Sequence, residues 1–234
     1  DMTDQEPRVI RTISILGGTG KEGQGLAYRW LKAGYHIIIG SRSEEKACRA
    51  AEDLRELLGK DVPVTGMTND RAAQAGDLLV LTVPYSAHAA MCEAIKPFAQ
   101  GKALIDVTVP LVSGKVTKVH IPEAGSAAME AKAILGEDVE VLSAFQNISY
   151  ERLLQEGDVG CDVLVSGGKK GTRRRVVDLI REAGMVGWDA GPIENSVVAE
   201  SLTSILIGLN KQFGTHTAGI RIVGVPRPDG LESE

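Results

Sequence analysis

Gly18, Gly20 and Gly23 stand at G-x-G-x-x-G spacing, directly after the apolar run Ile13-Ser14-Ile15-Leu16 and at the start of a helical pattern reaching about Ala33. In that setting each glycine has a separate task. Gly18 permits the tight turn, Gly20 lets a phosphate approach the backbone, and Gly23 lets helix and strand pack closely. The helix would turn its unpaired N–H groups and positive dipole end toward a pyrophosphate. An ordinary glycine turn is the alternative, and the readable strand and helix on either side weigh against it. The same loop also satisfies G-x-x-G-x-x-G through Gly17, Gly20 and Gly23. That spacing suits short-chain dehydrogenase-like folds, so the loop alone selects no family.

The residues after the second strand choose between nucleotides. A carboxylate about 20 residues past the glycines accepts from the ribose 2′-OH of NAD. Here the strand His36-Ile37-Ile38-Ile39 leads instead into Gly40-Ser41-Arg42-Ser43, with Lys46 one turn further on. A hydroxyl and a guanidinium bind a 2′-phosphate that a carboxylate would repel. Arg42 and Lys46 could also be solvated residues at a helix start. Cations are unfavourable there unless an anion is bound, so the reading is NADP.

Ligands of an open α/β sheet gather at the C-terminal ends of its strands. Those positions hold Gly18–Gly23, Ser41-Arg42, Val83-Pro84-Tyr85, Val107-Thr108-Val109-Pro110 and Ala144-Phe145-Gln146-Asn147-Ile148-Ser149. The set is short of acids and bases. The one Tyr-x-x-x-Lys pair, Tyr28 and Lys32, falls on the helix after the glycine loop, badly placed for catalysis. Lys211 lies near the end of a long C-terminal helix, beyond its apolar stretch. His88 could approach a nicotinamide or be a satisfied structural histidine; Asp106 could reach a ligand or cap a loop. Lys169, Lys170, Arg173, Arg174 and Arg175 form either a solvated face or an anion site. A nucleotide site without an evident proton-transfer residue suits direct hydride transfer between two bound redox cofactors, with the protein supplying orientation and electrostatics.

The elements that must position these residues alternate. Helical patterns at Ser43–Leu58, Asn69–Ala75, Ser86–Lys96 and Ser126–Leu135 separate strands at Val62–Thr65, Leu78–Thr82, Ala103–Val107 and Val139–Ser143. Beyond Ala144 the rhythm continues in a smaller unit: a strand at Val163–Ser166, a helix at Thr172–Ala183, a strand at Val186–Trp188, a long helix at Asn195–Gln212 and a strand-like piece at Ile220–Val225, then a mobile acidic tail after Pro226. This predicts an α/β fold, a Rossmann-type doubly wound parallel sheet with a small C-terminal α/β domain, divided as 1–157 and 158–234. Of the 234 residues 43% are hydrophobic but only 4% aromatic, as in sheets covered on both faces. The net charge of −5 and the lack of a basic, aromatic-studded stripe argue against nucleic acid. Three scattered cysteines point to a reducing compartment and no zinc site. No apolar run approaches the ~20 residues of a membrane span and the N-terminus has no apolar signal core, so a cytoplasmic, soluble protein is expected.

Gly17-Gly18-Thr19-Gly20, Gly40-Ser41-Arg42, Thr82-Val83-Pro84, Ser143–Ser149, Asp189-Ala190-Gly191-Pro192 and Glu200-Ser201-Leu202-Thr203 come in the order seen in NADPH-dependent coenzyme F420 reductases. The chain resembles that family from about Ile13 to Val223. The resemblance implies reversible hydride transfer between NADP(H) and the deazaflavin F420, in a homodimer. It also implies roles. Thr19, Gly20, Lys21 and Glu22 would hold the pyrophosphate, and Ser41, Arg42 and Lys46 the 2′-phosphate. Val83 and Pro84 would lie against the cofactor, with His88, Val107 and Ala144 nearby. Gln146, Ile148 and Ser149 would flank the contact between nicotinamide and deazaflavin, over an apolar floor of Leu202 and Leu206. Archaeal members tend to carry His at Gln146 and Trp at Tyr85. The Ala144–Ser149 segment also resembles the NADPH domain of STEAP-type ferric reductases, which work with a membrane haem domain. A soluble flavin or ferric reductase, and a non-catalytic NADP(H) sensor, are the alternatives.

Overall fold

The computed structural model describes residues 9–59 and 61–227. Strands β1 (Thr12–Leu16), β2 (His36–Ser41), β3 (Val64–Thr68), β4 (Leu78–Leu81), β5 (Ala103–Asp106), β6 (Glu140–Ser143), β7 (Asp162–Gly167) and β8 (Val186–Asp189) form one sheet in the order β3-β2-β1-β4-β5-β6-β7-β8. Every neighbouring pair is parallel except β6 and β7, which meet antiparallel through Leu142 and Ser143. The order reverses between β1 and β4, and there a doubly wound sheet opens its crevice.

Helices cover both faces. On one side lie α1 (Lys21–Lys32), α2 (Glu44–Leu58) and α7 (Lys170–Glu182); on the other lie α3 (Asn69–Ala75), α4 (Tyr85–Ala99) and α5 (Ala127–Leu135). Leu78 and Val80 of β4 point into the first core and Leu79 and Leu81 into the second. That is why the strand is an unbroken apolar run rather than an alternating one. A single turn, α6 (Tyr150–Leu153), and the long α8 (Ser196–Phe213) complete the set. Ser43 and Ser126 cap α2 and α5, accepting from the Lys46 and Met129 N–H groups at 3.3 and 3.0 Å.

The differences from the sequence reading are local. The third strand begins at Val64 and runs on through Gly66 to Thr68, pairing with Ile37 to Ser41. The helix that begins near Ser86 continues past Pro97 to Ala99. The piece at Ile220–Val225 is not a strand. Ile220 O accepts from Asp162 N at 2.7 Å, but the Ile222 N–H donates to the Asp162 side chain at 2.8 Å, which ends any ladder. The tail expected to be mobile lies, from residue 228, outside the described residues.

Candidate functional site

The first of two clefts lies over the C-terminal ends of β1, β2 and β4 and encloses about 920 Å³. Its glycine loop separates three demands. A Cβ on Gly18 would lie 2.6 Å from Ile15 O, and one on Gly23 would lie 2.8 Å from Gly18 Cα. Both glycines are required by packing. A Cβ on Gly20 would meet nothing closer than Gly17 O at 4.0 Å, so this glycine faces open space. Gly20 also starts α1 without any side-chain cap, leaving the first-turn N–H groups for a ligand. The turn is held from outside. Gly17 has φ +68°, and its N–H donates to Asn69 Oδ1 at 3.0 Å.

Ser41, Arg42 and Lys46 line the far end of this cleft. Ser41 is buried and its Oγ accepts from Ser43 N at 3.2 Å, while Arg42 and Lys46 are exposed and make no ion pair among the described residues. Two cations without carboxylate partners, beside a helix start, suit an anion with several oxygens. Thr19, Val83 and Pro84 form the wall nearer the sheet. Gly18 and Gly23 shape the loop from behind without lining the cleft.

The second cleft, about 650 Å³, opens on the other side of the α1 N-terminus. Lys21, Glu22, Gln146, Ile148, Ser149 and Leu206 are among its walls. Thus the glycine loop faces one cleft through Gly20 and the other through Lys21. The turn after β6 is built with care. Phe145 has φ +71°, an unfavourable conformation for a bulky residue, and it is held by an edge-to-face contact with Trp30 at 5.6 Å. That twist turns Gln146 back so that its Nε2 donates to Asp106 O and Ser143 Oγ, both at 2.9 Å. Asn147 donates to Ala199 O at 2.8 Å, and Thr203 Oγ1 donates to Gln146 O at 2.7 Å, docking α8 onto the turn. Lys21 reaches across the mouth to Tyr150 OH at 3.2 Å. Burial pushes the Glu22 carboxyl up to about 8.

His88 is fully buried and lines neither cleft; Ser86 and Ala87 of the same helix face the first. Its Nε2 lies 2.7 Å from Asp106 Oδ2 and its Nδ1 2.9 Å from Glu130 Oε1. Burial works against a charged ring, but the hydrogen bonds and charges of Asp106 and Cys92 together outweigh it, and the His88 pKa rises to about 11. The ring therefore donates both N–H groups and braces the end of β5. Asp106 also accepts from Thr108 N at 3.0 Å, fixing the loop as a cap would. Val107 and Ala144 are buried beside this brace and line neither cleft. Leu206 is a wall of the second cleft, whereas Leu202, one turn earlier, is half-buried and not among its walls. Arg173 pairs with Asp189 at 2.7 Å and Arg175 with Glu182 at 3.0 Å, so much of the basic group serves structure.

Asn69, Asn210 and His216 also reach the clefts or hold their turns, and the sequence reading gave them no site role; Asn147 stood among the strand-end residues and Thr203 in the Glu200–Thr203 run, each without a role of its own. Asn69 was findable. It follows β3 directly, and placing that strand's end at Thr68 instead of Thr65 puts Asn69 among the strand-end residues. Glu200, of the Glu200–Thr203 run, is a docking group. It is buried and accepts from Ala127 N at 2.8 Å and Ala128 N at 3.1 Å, tying α8 to the start of α5.

Known proteins resemble this chain. The family model described as NADP oxidoreductase, coenzyme F420-dependent, matches residues 12–110. An F420-dependent NADP reductase of Methanothermobacter thermautotrophicus is 37% identical over 228 residues, spanning 94% of this chain and 98% of its own. Another, from Methanocaldococcus jannaschii, is 37% identical over 221 residues, spanning 91% and 98%. A solved protein of Arthrobacter sp. FB24, whose F420-dependent NADP-reductase role is itself an inference, superposes with a TM-score of 0.77. It is 18% identical and covers 92% of this chain and 100% of its own, a likeness of fold.

Proposed function

The chain belongs to the family of coenzyme F420-dependent NADP oxidoreductases, and from that premise we propose that it transfers hydride reversibly between NADP(H) and the deazaflavin coenzyme F420. One observation carries the reading: two clefts share the N-terminus of α1, Gly20 opening on one and Lys21 and Glu22 on the other. Rings bound in the two clefts would be held by the same helix end.

The nicotinamide and deazaflavin rings supply the redox chemistry, a hydride passing between ring carbons. The chain's part is binding, orientation and exclusion of water. The first-turn N–H groups of α1 and Thr19 hold the pyrophosphate; Ser41, Arg42 and Lys46 hold the 2′-phosphate. Val83 and Pro84 support the nicotinamide end. Gln146, Ile148, Ser149 and Leu206 shape the second pocket, and no side chain needs to move a proton from a substrate hydroxyl. Residues 1–157 carry the nucleotide and residues 158–234 complete the second pocket through α8. We assign a homodimer, supported by Val198, Ile205, Leu209 and Phe213, which α8 leaves exposed. A cytoplasmic location accords with three unpaired cysteines, and among the described residues no helix is long and apolar enough to cross a membrane.

The test is anaerobic mixing with NADPH and oxidised F420, following loss of the deazaflavin's visible absorbance. Rapid bleaching with NADPH and little with NADH is expected. Arg42→Ala should raise the NADPH KM about 10- to 100-fold, as for loss of a charge-assisted hydrogen bond, and leave NADH use unchanged. Reduction of FMN or a ferric chelate without F420 bleaching would move the activity to a flavin or ferric reductase. Tight NADPH binding without turnover of any acceptor would leave a sensor.

A further inference from the structure

Two side chains that line the second cleft each hold a buried oxygen without a hydrogen-bond partner. Gln146 is 6% exposed, and its Nε2 is committed to Asp106 O and Ser143 Oγ. That fixes the amide and leaves Oε1 buried without a hydrogen-bond partner. Glu22 Oε1 is likewise buried and unpartnered. The other buried side-chain oxygens without partners among the described residues, on Ser14, Thr65 and Thr108, are hydroxyls outside both clefts. A hydroxyl can donate as well as accept. Two neighbouring donors are already spent, Asn147 Nδ2 on Ala199 O and Thr203 Oγ1, and Thr203 Oγ1 on Gln146 O. Native structures seldom leave such atoms unmet, and at a ligand site the missing partner arrives with the ligand.

We propose that Glu22 and Gln146 form a paired recognition site for the amide edge of a bound ring, Gln146 Oε1 accepting from its N–H and the Glu22 carboxyl donating to the adjoining carbonyl. The inference rests on the proposed function for the rings concerned. Burial supports the donor role, because it holds the Glu22 carboxyl at about 8 and so protonated near neutrality. A donor and an acceptor on the walls of one cleft are complementary to a carbonyl beside an N–H. Both the pyrimidine-like half of a deazaflavin and the carboxamide of a nicotinamide present that edge.

The experiment is equilibrium titration of wild type, Glu22→Gln and Glu22→Met with three separate probes: oxidised F420, NADP+ and 2′,5′-ADP, which has no ring at this end. Glu22→Met should weaken one ring probe about tenfold, the worth of one hydrogen bond, and leave 2′,5′-ADP unchanged. Glu22→Gln, which keeps a donor and an acceptor, should stay within about threefold of wild type. Loss confined to F420 identifies the deazaflavin edge; loss confined to NADP+ identifies the carboxamide. Unchanged binding of both rings by Glu22→Met overturns the proposal. So does equal weakening by Glu22→Gln and Glu22→Met, or a parallel loss of 2′,5′-ADP, which would place the effect in the loop. Wild type that binds NADP+ but not F420 would instead refute the proposed function, with the NADP+ arm still deciding this inference.

Discussion

At the scale of single residues, the three glycines of the loop meet different constraints. Gly18 and Gly23 are forced by protein atoms at 2.6 and 2.8 Å from any added Cβ. Gly20 has φ −76° and open space, so the fold itself would accept a side chain there. Gly20→Val should therefore melt within a few degrees of wild type yet lose NADPH binding, because its methyls would occupy the approach of the pyrophosphate. Calorimetry and nucleotide titration on one preparation check this; retained binding would refute the loop assignment. These demands were legible because they depend on a few neighbouring positions. The unmet oxygens of Glu22 and Gln146 were not. Which donors are spent depends on Asp106, Ser143 and Thr203, brought together only by the fold. His88 was open to two readings for the same reason, its carboxylate partners lying 18 and 42 residues away.

At the scale of elements, buried parallel strands betray themselves as unbroken apolar runs, and β1, β2 and β4 were plain. The end of β3 was hidden because Gly66 has no strand preference. It is glycine because a Cβ would overlap the Ala47–Cys48 backbone of α2. The turn α6 was invisible for want of length, yet it walls the second cleft. What secures it is Arg29 of α1, a buried guanidinium donating to Leu153 O at 2.6 Å, Gly157 O at 3.0 Å, Arg152 O at 3.2 Å and also Gln155 O. Arg29→Met would strip donors from these carbonyls at a cost of about 2–4 kcal/mol. The melting temperature should fall on the order of 5–10 °C, and the F420 KM should rise more than the KM for NADPH. A melting point within about 2 °C of wild type would show that α6 is held by other contacts.

At the scale of the whole molecule, one sheet carries both clefts. The parallel strands β1, β2 and β4 end at the nucleotide side. The antiparallel step from β6 to β7 lets the chain continue into β7, β8 and α8, which returns to close the second pocket at Thr203 and Leu206. The ionisable His88, Asp106 and Glu200 brace strands and helices. Direct ring-to-ring transfer is the step on which the proposed function stands. NADPH carrying deuterium at both C4 positions, mixed with oxidised F420 in ordinary water under anaerobic conditions, tests it in a single turnover read by mass spectrometry. Reduced deazaflavin that has gained the deuterium is the predicted result. Reduced deazaflavin carrying only solvent hydrogen would contradict it, because the two rings would then not meet across the α1 N-terminus.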